Sequence, residues 1–434
     1  MKGKKRVLII TYYWPPSGGS GVQRWIKFVK YLRDFGWEPI IYTPSNPERP
    51  ALDTSFNHDI PQDVKIIKTK IWEPYSIYKK FVGINKKEEL GAGLMKSGKE
   101  NSILQNISIW IRGNVFIPDA RKFWVKPSIK YLTSYLLKNP VDTIVSTGPP
   151  HSLHLIGLGL SKNTQIPWLA DFRDPWTNID FFSELKLNNK SKTKHYKLEK
   201  KVLDSAHKIV VVSPTMKKEF SAITNTSISV IPNGFDEADF PESTYQKNIK
   251  FTLTHVGMLT PTRNPSNLWA AISELSSENI HFKNHFRLQL IGKIDSSIQL
   301  AIKKYKIENL TFITDYIPHS DVVKTQQNSE ALLLIINNSP NANLILTGKL
   351  FEYLAAKRPI ICISPIKGDV NDILDDSKAG IVVLYHEKNL LKKEIMRLYN
   401  LWMTGNNGNL ITNNINFSRK NLTEKVAKEL DSIL

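Results

Sequence analysis

The chain has 434 residues, 41% hydrophobic and 23% charged, with a formal net charge of +19. That length exceeds one compact core and predicts two domains, while the single cysteine, Cys362, excludes an internal disulfide or a cysteine-rich metal site and suits a reducing compartment. The charge predicts an anionic partner: a phosphorylated substrate, an acidic membrane surface or nucleic acid.

Met1 to Arg6 is basic, but the apolar run behind it, Val7 to Ile10, is too short for the core of a signal peptide and reads as a buried first strand. No stretch reaches the roughly 18 uninterrupted apolar residues of a spanning helix. A loop follows, Pro15-Pro16-Ser17-Gly18-Gly19-Ser20-Gly21. Trp25, Phe28, Val29 and Leu32 then recur at helical spacing up to Gly36, and Pro39 to Tyr42 is the next strand. This is a βαβ opening, as in a doubly wound parallel sheet.

Residues 68–130 hold 13 Lys or Arg against 5 Asp or Glu, interleaved with Trp72, Tyr75, Tyr78, Phe81, Ile107, Ile109, Trp110, Ile111, Phe116, Phe123 and Trp124. Rings among cations suit a surface lying at the headgroup level of an anionic bilayer. A helical subdomain with a solvated basic face is the alternative. Single-stranded nucleic acid would use similar residues, but no nucleic-acid fold signature accompanies them.

Alternation continues with a strand at 141–146, a helix at 151–162, a strand at 168–170, a lysine-rich helix at 190–207 and a strand at 208–212. It restarts at 251–256, with a helix from about Pro265 and strands at 286–291, 310–313, 331–336 and 360–363. A final helix, about 418–433, carries apolar Leu422, Val426, Leu430 and Leu434. The fold class is therefore α/β, with two Rossmann-like doubly wound domains. The expected divisions are an N-terminal domain at 1–236 carrying the basic aromatic insertion, a C-terminal domain at 237–415, and a helix at 416–434 packing back on the first domain.

In open α/β sheets ligands bind beyond the carboxyl ends of the strands, and several segments there carry chemistry. Thr347-Gly348-Lys349-Leu350-Phe351-Glu352 opens a short helix, whose free amides and positive dipole end suit a phosphate. Lys349 adds a charge, and Glu352 is placed to accept from sugar hydroxyls. The structural alternative is an ordinary helix capped by Thr347. Glycines at 18–21 allow close approach of backbone to a diphosphate, but match neither a G-x-G-x-x-G nor a Walker loop. In the run from Gly257 to Pro265, Arg263 lies on a strand-to-helix loop where it could hold a leaving diphosphate, or simply stand at the surface. Asp171, Arg173 and Asp174, with His151 in the preceding loop, could position an acceptor hydroxyl and handle its proton. Alternatively, Arg173 bridges the two aspartates as a purely structural group. No D-x-D or His/Asp cluster has metal-ligand spacing, so no metal is expected.

Taken in order, these motifs resemble the family 4 retaining glycosyltransferases. They are the loop at 16–21, TGPPHS at 147–152, PWLADFRDPW at 167–176, SPTM at 213–216, IPNGFD at 231–236, HVGMLTPTRNP at 255–265 and GKLFEYLAAKRPI at 348–360. The resemblance covers nearly the whole chain, and within the family it is greatest to bacterial enzymes building cell-surface polysaccharides. It implies a GT-B architecture, with the two domains facing a cleft. It also implies transfer of a sugar from a nucleotide diphosphate donor to a glycan acceptor, with retention at the anomeric carbon and without a cofactor. Glu352 matches the second glutamate of the family's E-x7-E motif, which binds the ribose, whereas the first falls on Leu344. Arg263 falls where a phosphate-binding lysine is usual. The companion arginine is replaced by Met258, and Lys349 is the candidate for the missing charge. Gly19 matches the first-domain glycine near the diphosphate, and Gly257, Thr347 and Gly348 complete the implied donor set. Arg173 falls near a position often held by a histidine, making Asp171 and Asp174 candidates for acceptor contact. A lipid-diphosphate-linked acceptor would place the protein in the cytoplasm at the inner membrane face, held by the 68–130 segment. Rival expectations are an epimerase or phosphorylase on the same fold, a catalytically silent sugar-nucleotide binder, and a nucleic-acid binder.

Overall fold

The computed structural model describes residues 4–49, 52–73, 103–179, 182–241, 247–406 and 415–434. Tyr75, Tyr78 and Phe81 of the basic aromatic segment lie outside the described residues. The chain forms two units, one of residues 1–232 with 419–434, the other of residues 233–418.

The first unit is built on seven strands: β1 Lys5–Ile10, β2 Trp37–Pro44, β3 Lys65–Thr69, β4 Thr143–Gly148, β5 Trp168–Phe172, β6 Lys208–Val211 and β7 Ile228–Val230. All neighbours are parallel, in the order β3-β2-β1-β4-β5-β6-β7. Parallel pairing buries both faces of the central strands, which is why Val7 to Ile10 reads as one unbroken apolar run. Strand order reverses between β1 and β4, whose residues Val7 to Ile10 pair with Thr143 to Ser146. The glycine loop after β1 and the TGPPHS turn after β4 therefore leave the sheet at its switch point.

Helix Ser20–Leu32 covers this sheet with Trp25, Phe28 and Val29, and against them pack Leu422, Val426 and Leu430 of helix Arg419–Asp431. The fourth position expected on that apolar stripe, Leu434, lies past the helix end and is exposed. Within the basic aromatic segment the structure forms helices Ile103–Asn114 and Lys122–Lys138. Trp124 is not a surface residue as expected. It is 1% exposed, stacks on Tyr42 at 4.8 Å and donates its indole N–H to Thr69 Oγ1 at 3.0 Å. Helical periodicity turns Trp124 inward with Ser128 and Leu132, while its neighbour Phe123 faces out.

The second unit has six parallel strands: β8 Phe251–Val256, β9 Phe286–Ile291, β10 Thr311–Thr314, β11 Ala331–Ile335, β12 Ile360–Ser364 and β13 Gly380–Leu384, ordered β10-β9-β8-β11-β12-β13. Side chains alternate between two cores, as a strand's two-residue period requires. Leu333, Ile335, Ile361 and Ile363 join one; Leu332, Leu334, Ile360 and Cys362 join the other. Here the order reverses between β8 and β11, so the loops after these strands and the helix Gly348–Ala355 before β12 mark the switch point.

Candidate functional site

In the second unit, backbone geometry sets the site before any side chain acts. β8 runs into Gly257, whose φ of +118° is a conformation that an L side chain rarely adopts. The position a Cβ would take on Gly257 is filled by the Nζ and Cε of Lys349, the second residue of helix Gly348–Ala355. Lys349 Nζ makes neither a hydrogen bond nor an ion pair with any described residue. Burial, then the positive charge of Arg263, lowers its pKa to about 7, with the Glu352 carboxylate pulling the other way.

Arg263 ends the short 3-10 turn Pro261–Arg263. Its Nε donates to Asn337 Oδ1, beyond the end of β11, and its Nη1 donates to Met258 O at 3.2 Å. The same two loops are tied by Asn338 N to Thr262 O at 2.7 Å. Tyr385, just after β13, donates to Ile336 O at 2.9 Å. Arg263 is thus a held guanidinium at the switch point.

Thr347 occupies the N-cap position with extended backbone, but its hydroxyl caps nothing; Oγ1 is buried without a partner. The alternative reading of a helix capped by the Thr347 side chain is therefore not met. Beside it, a Cβ on Gly348 would meet open space within 4 Å. Glu352, one turn on, accepts from Gln326 Nε2 at 3.3 Å. Leu344, where the family motif places a carboxylate, is 4% exposed in the turn Ala342–Leu344.

Sequence reasoning passed over three residues of this unit: Asn337, Tyr385 and His255. His255 is fully buried in β8, and its Nδ1 lies 2.8 Å from Leu333 O. A carbonyl only accepts, so Nδ1 carries the hydrogen and Nε2 is left as a buried acceptor without a partner. Burial first, then Lys349 and Arg263, holds the ring well below its ordinary pKa, and it is neutral. A histidine in a strand otherwise made of apolar residues and threonine was the available signal.

In the first unit, Asp171 on β5 lies at the centre of a buried anchor. Arg24 Nη2 pairs with it at 2.8 Å, and Trp25 Nε1 and Thr147 Oγ1 each donate at 2.7 Å. Burial raises its pKa, but Arg24 and these hydrogen bonds outweigh that and hold it below the usual value. Arg24 also donates to Ile231 O and Pro232 O, fixing the start of the IPNGFD segment. Both side chains are 1% exposed, so Asp171 presents no free oxygen to solvent.

Arg173 does not bridge Asp171 and Asp174 by hydrogen bonds. Its Nη1 donates to Gly21 O at 3.1 Å and its Nη2 to Pro149 O, joining the two switch-point loops. A Cβ on Gly21 would press on Tyr13 and Arg173, so the glycine admits this contact. Gly19, with φ +94°, precedes helix Ser20–Leu32. Asp174 is exposed.

His151 is buried and stacked on Trp176, with ring centroids 4.9 Å apart. His154 bonds Ser146 Oγ through Nδ1 at 3.0 Å, and His195 accepts from Trp176 Nε1 at 3.1 Å. Burial lowers all three pKa values, that of His154 to about 3. The imidazoles are therefore neutral at physiological pH.

Comparisons with known proteins bear on the fold. The family described as Glycosyltransferase Family 4 matches residues 97–239. WaaG, a glycosyltransferase involved in lipopolysaccharide biosynthesis, shares the fold with a TM-score of 0.56 at 12% identity, covering 98% of this chain and 99% of that one. TarM of S. aureus, solved with UDP, has a TM-score of 0.56 at 11% identity, covering 98% and 100%. A putative UDP-N-acetylglucosamine 2-epimerase from Listeria monocytogenes has a TM-score of 0.57 at 10% identity, covering 99% and 96%. No curated protein sequence matches. Residues 97–239 thus match the Glycosyltransferase Family 4 model, and the two parallel-sheet units share the GT-B fold of these glycosyltransferase structures.

Proposed function

We propose that the protein moves a sugar from a nucleoside diphosphate sugar to a lipid-diphosphate-linked glycan, with retention at the anomeric carbon, in assembly of a bacterial surface polysaccharide such as O-antigen or capsule. The observation that carries this reading is the meeting of Arg263 and Lys349 at the Gly257 turn, with Glu352 one helical turn away. Guanidinium and ammonium stabilise charge developing on the departing diphosphate, and they do so more strongly in a water-poor site than in bulk solvent. Free amides at Gly348 and Lys349 extend the same field. Glu352 accepts from the ribose hydroxyls. UDP bound to TarM and the lipopolysaccharide role of WaaG support the donor and pathway classes.

The first unit is assigned the acceptor. Arg173 and His151 shape the loops after β1 and β4, while Asp171 acts through Arg24 as their anchor and Asp174 stands at the exposed turn. Proximity supplies most of the remaining rate, and no strong base is needed.

An anionic lipid surface is assigned to helices Ile103–Asn114 and Lys122–Lys138. From Ile103 to Lys138 the sequence has six Lys or Arg and one carboxylate, Asp119, which is bonded to Ser152. Trp72, Ile107, Trp110 and Phe123 are exposed, and Lys122 Nζ lies 5.0 Å from the Phe123 ring. Lys194 of helix Asn189–Ser205 adds to the field at Lys122. No helix among the described residues is long and apolar enough to cross a membrane. The reading is a peripheral protein at the inner face.

Incubation with labelled nucleotide sugars and lipid-linked acceptors tests the whole reading. Label should pass to the acceptor with α-linked donors giving α-linked products. Isomerisation without any acceptor would instead support the epimerase reading that the Listeria structure keeps open. Tight nucleotide binding without turnover would make the protein a silent partner.

A further inference from the structure

The Gly257 turn gathers basic groups from three elements, and Glu352 is the carboxylate that acts on Lys349. Arg263 comes from the loop after β8, Lys349 from helix Gly348–Ala355, and His255 from β8 itself. Glu352, the carboxylate acting on Lys349, already accepts from Gln326. Tyr353 and Tyr385 bond to backbone groups, and burial pushes their hydroxyls and the Cys362 thiol upward, so all three are neutral. The Lys349 amine therefore sits beside a fixed guanidinium with no hydrogen bond or ion pair of its own among the described residues.

We propose that binding of a nucleoside diphosphate at this turn is coupled to uptake of one proton from solvent by the Lys349 amine. The proton adds to the nitrogen lone pair, and no bond of the nucleotide is broken. The inference rests on the donor-site reading above. Burial first, and then repulsion from Arg263, disfavours a cation on Lys349, and a bound anion opposes both, so ligand and proton stabilise one another reciprocally. Arg263 cannot be the acceptor, because a guanidinium is already charged. His255 is barred by burial and by the same two cations. With the free amine titrating near 7, the site carries both protonation states at neutral pH and becomes fully charged only when occupied.

Isothermal titration calorimetry at pH 8 with UDP, GDP, ADP and dTDP, each in two buffers of different ionisation enthalpy, reads the protons exchanged. At that pH a phosphate group with a second pKa of about 6 is already ionised and contributes little. The expected uptake is about 0.5–1 proton per nucleotide bound. Lys349→Arg, which is charged throughout, should still bind but with uptake near zero. Heat independent of buffer in the parent overturns the proposal alone, as does unchanged uptake in Lys349→Arg. Failure of all four nucleotides to bind removes the donor-site reading and the coupling with it.

Discussion

The amine of Lys349 fills the space that a side chain on Gly257 would need, so each residue fixes the other across the turn after β8. Gly257→Ala must therefore displace the lysine and also strain a backbone at φ +118°. The expected cost is about 1–3 kcal/mol of stability, with weakened binding of nucleoside diphosphate. Thermal melts with and without nucleotide separate the two effects. Unaltered nucleotide affinity would remove Lys349 from the site.

Glu352→Ala is expected to weaken donor binding by roughly 10–100-fold, the loss of hydrogen bonds to a charged acceptor. Its ligand-free melting temperature should change little, since Glu352 has one long bond to Gln326. Thermal stabilisation by a fixed nucleotide concentration reads the difference. Equal stabilisation in parent and variant would show that another group binds the ribose.

Arg263→Ala should lower kcat by about 10²–10³-fold and affect KM less, because its charge acts on the diphosphate as it departs. Single-turnover kinetics separates chemistry from release. A rise in KM at constant kcat would make Arg263 an ordinary binding residue.

Stability should decline on acidification in two stages. His151, His154 and His195 have lowered folded pKa values, so below 6.5 the unfolded chain gains protons that the folded one refuses. His154 alone then removes about 1.4 kcal/mol per pH unit until pH approaches 3. Asp171, also lowered in the fold, stabilises fully above its unfolded value of 3.8 and loses that contribution only as pH falls through the folded pKa. His154→Gln should flatten the denaturant midpoint between pH 6.5 and 5. An unchanged slope would mean that the ring charges without unfolding.

Trp110→Ala with Phe123→Ala should reduce sedimentation with anionic vesicles while leaving the melt near that of the parent. Trp124→Ala should do the reverse, destabilising by about 3–5 kcal/mol through loss of its stack on Tyr42. Full vesicle binding by the double variant would end the membrane reading of this surface.

The parallel sheets were legible because buried central strands write themselves as apolar runs such as Val7 to Ile10 and Ala331 to Ile335. The two edge strands of the first sheet were not: β3, with burial on few positions, and the three-residue β7 carry no such run, whereas the edge strand β10 of the second sheet was placed. The glycine turns and the Lys349 helix could be placed from local spacing, since each is set by neighbours in sequence. What Asp171 binds could not be read, because Arg24 lies 147 residues away. Trp124 was misread for a related reason. A count of aromatics along a segment does not say which side of its helix each one occupies.

Helix Arg419–Asp431 completes the core of the first unit, with Asp431 pairing Lys5 and accepting from Trp37, and Glu429 pairing Lys208. Synthesis from the amino end therefore delivers this unit's last structural piece only after the entire second unit has left the ribosome. Until then Trp25, Phe28 and Val29 lack the cover of Leu422, Val426 and Leu430. Expression of residues 1–232 alone would leave that stripe open to water and prone to aggregate, whereas joining 419–434 directly to residue 232 would restore a closed domain.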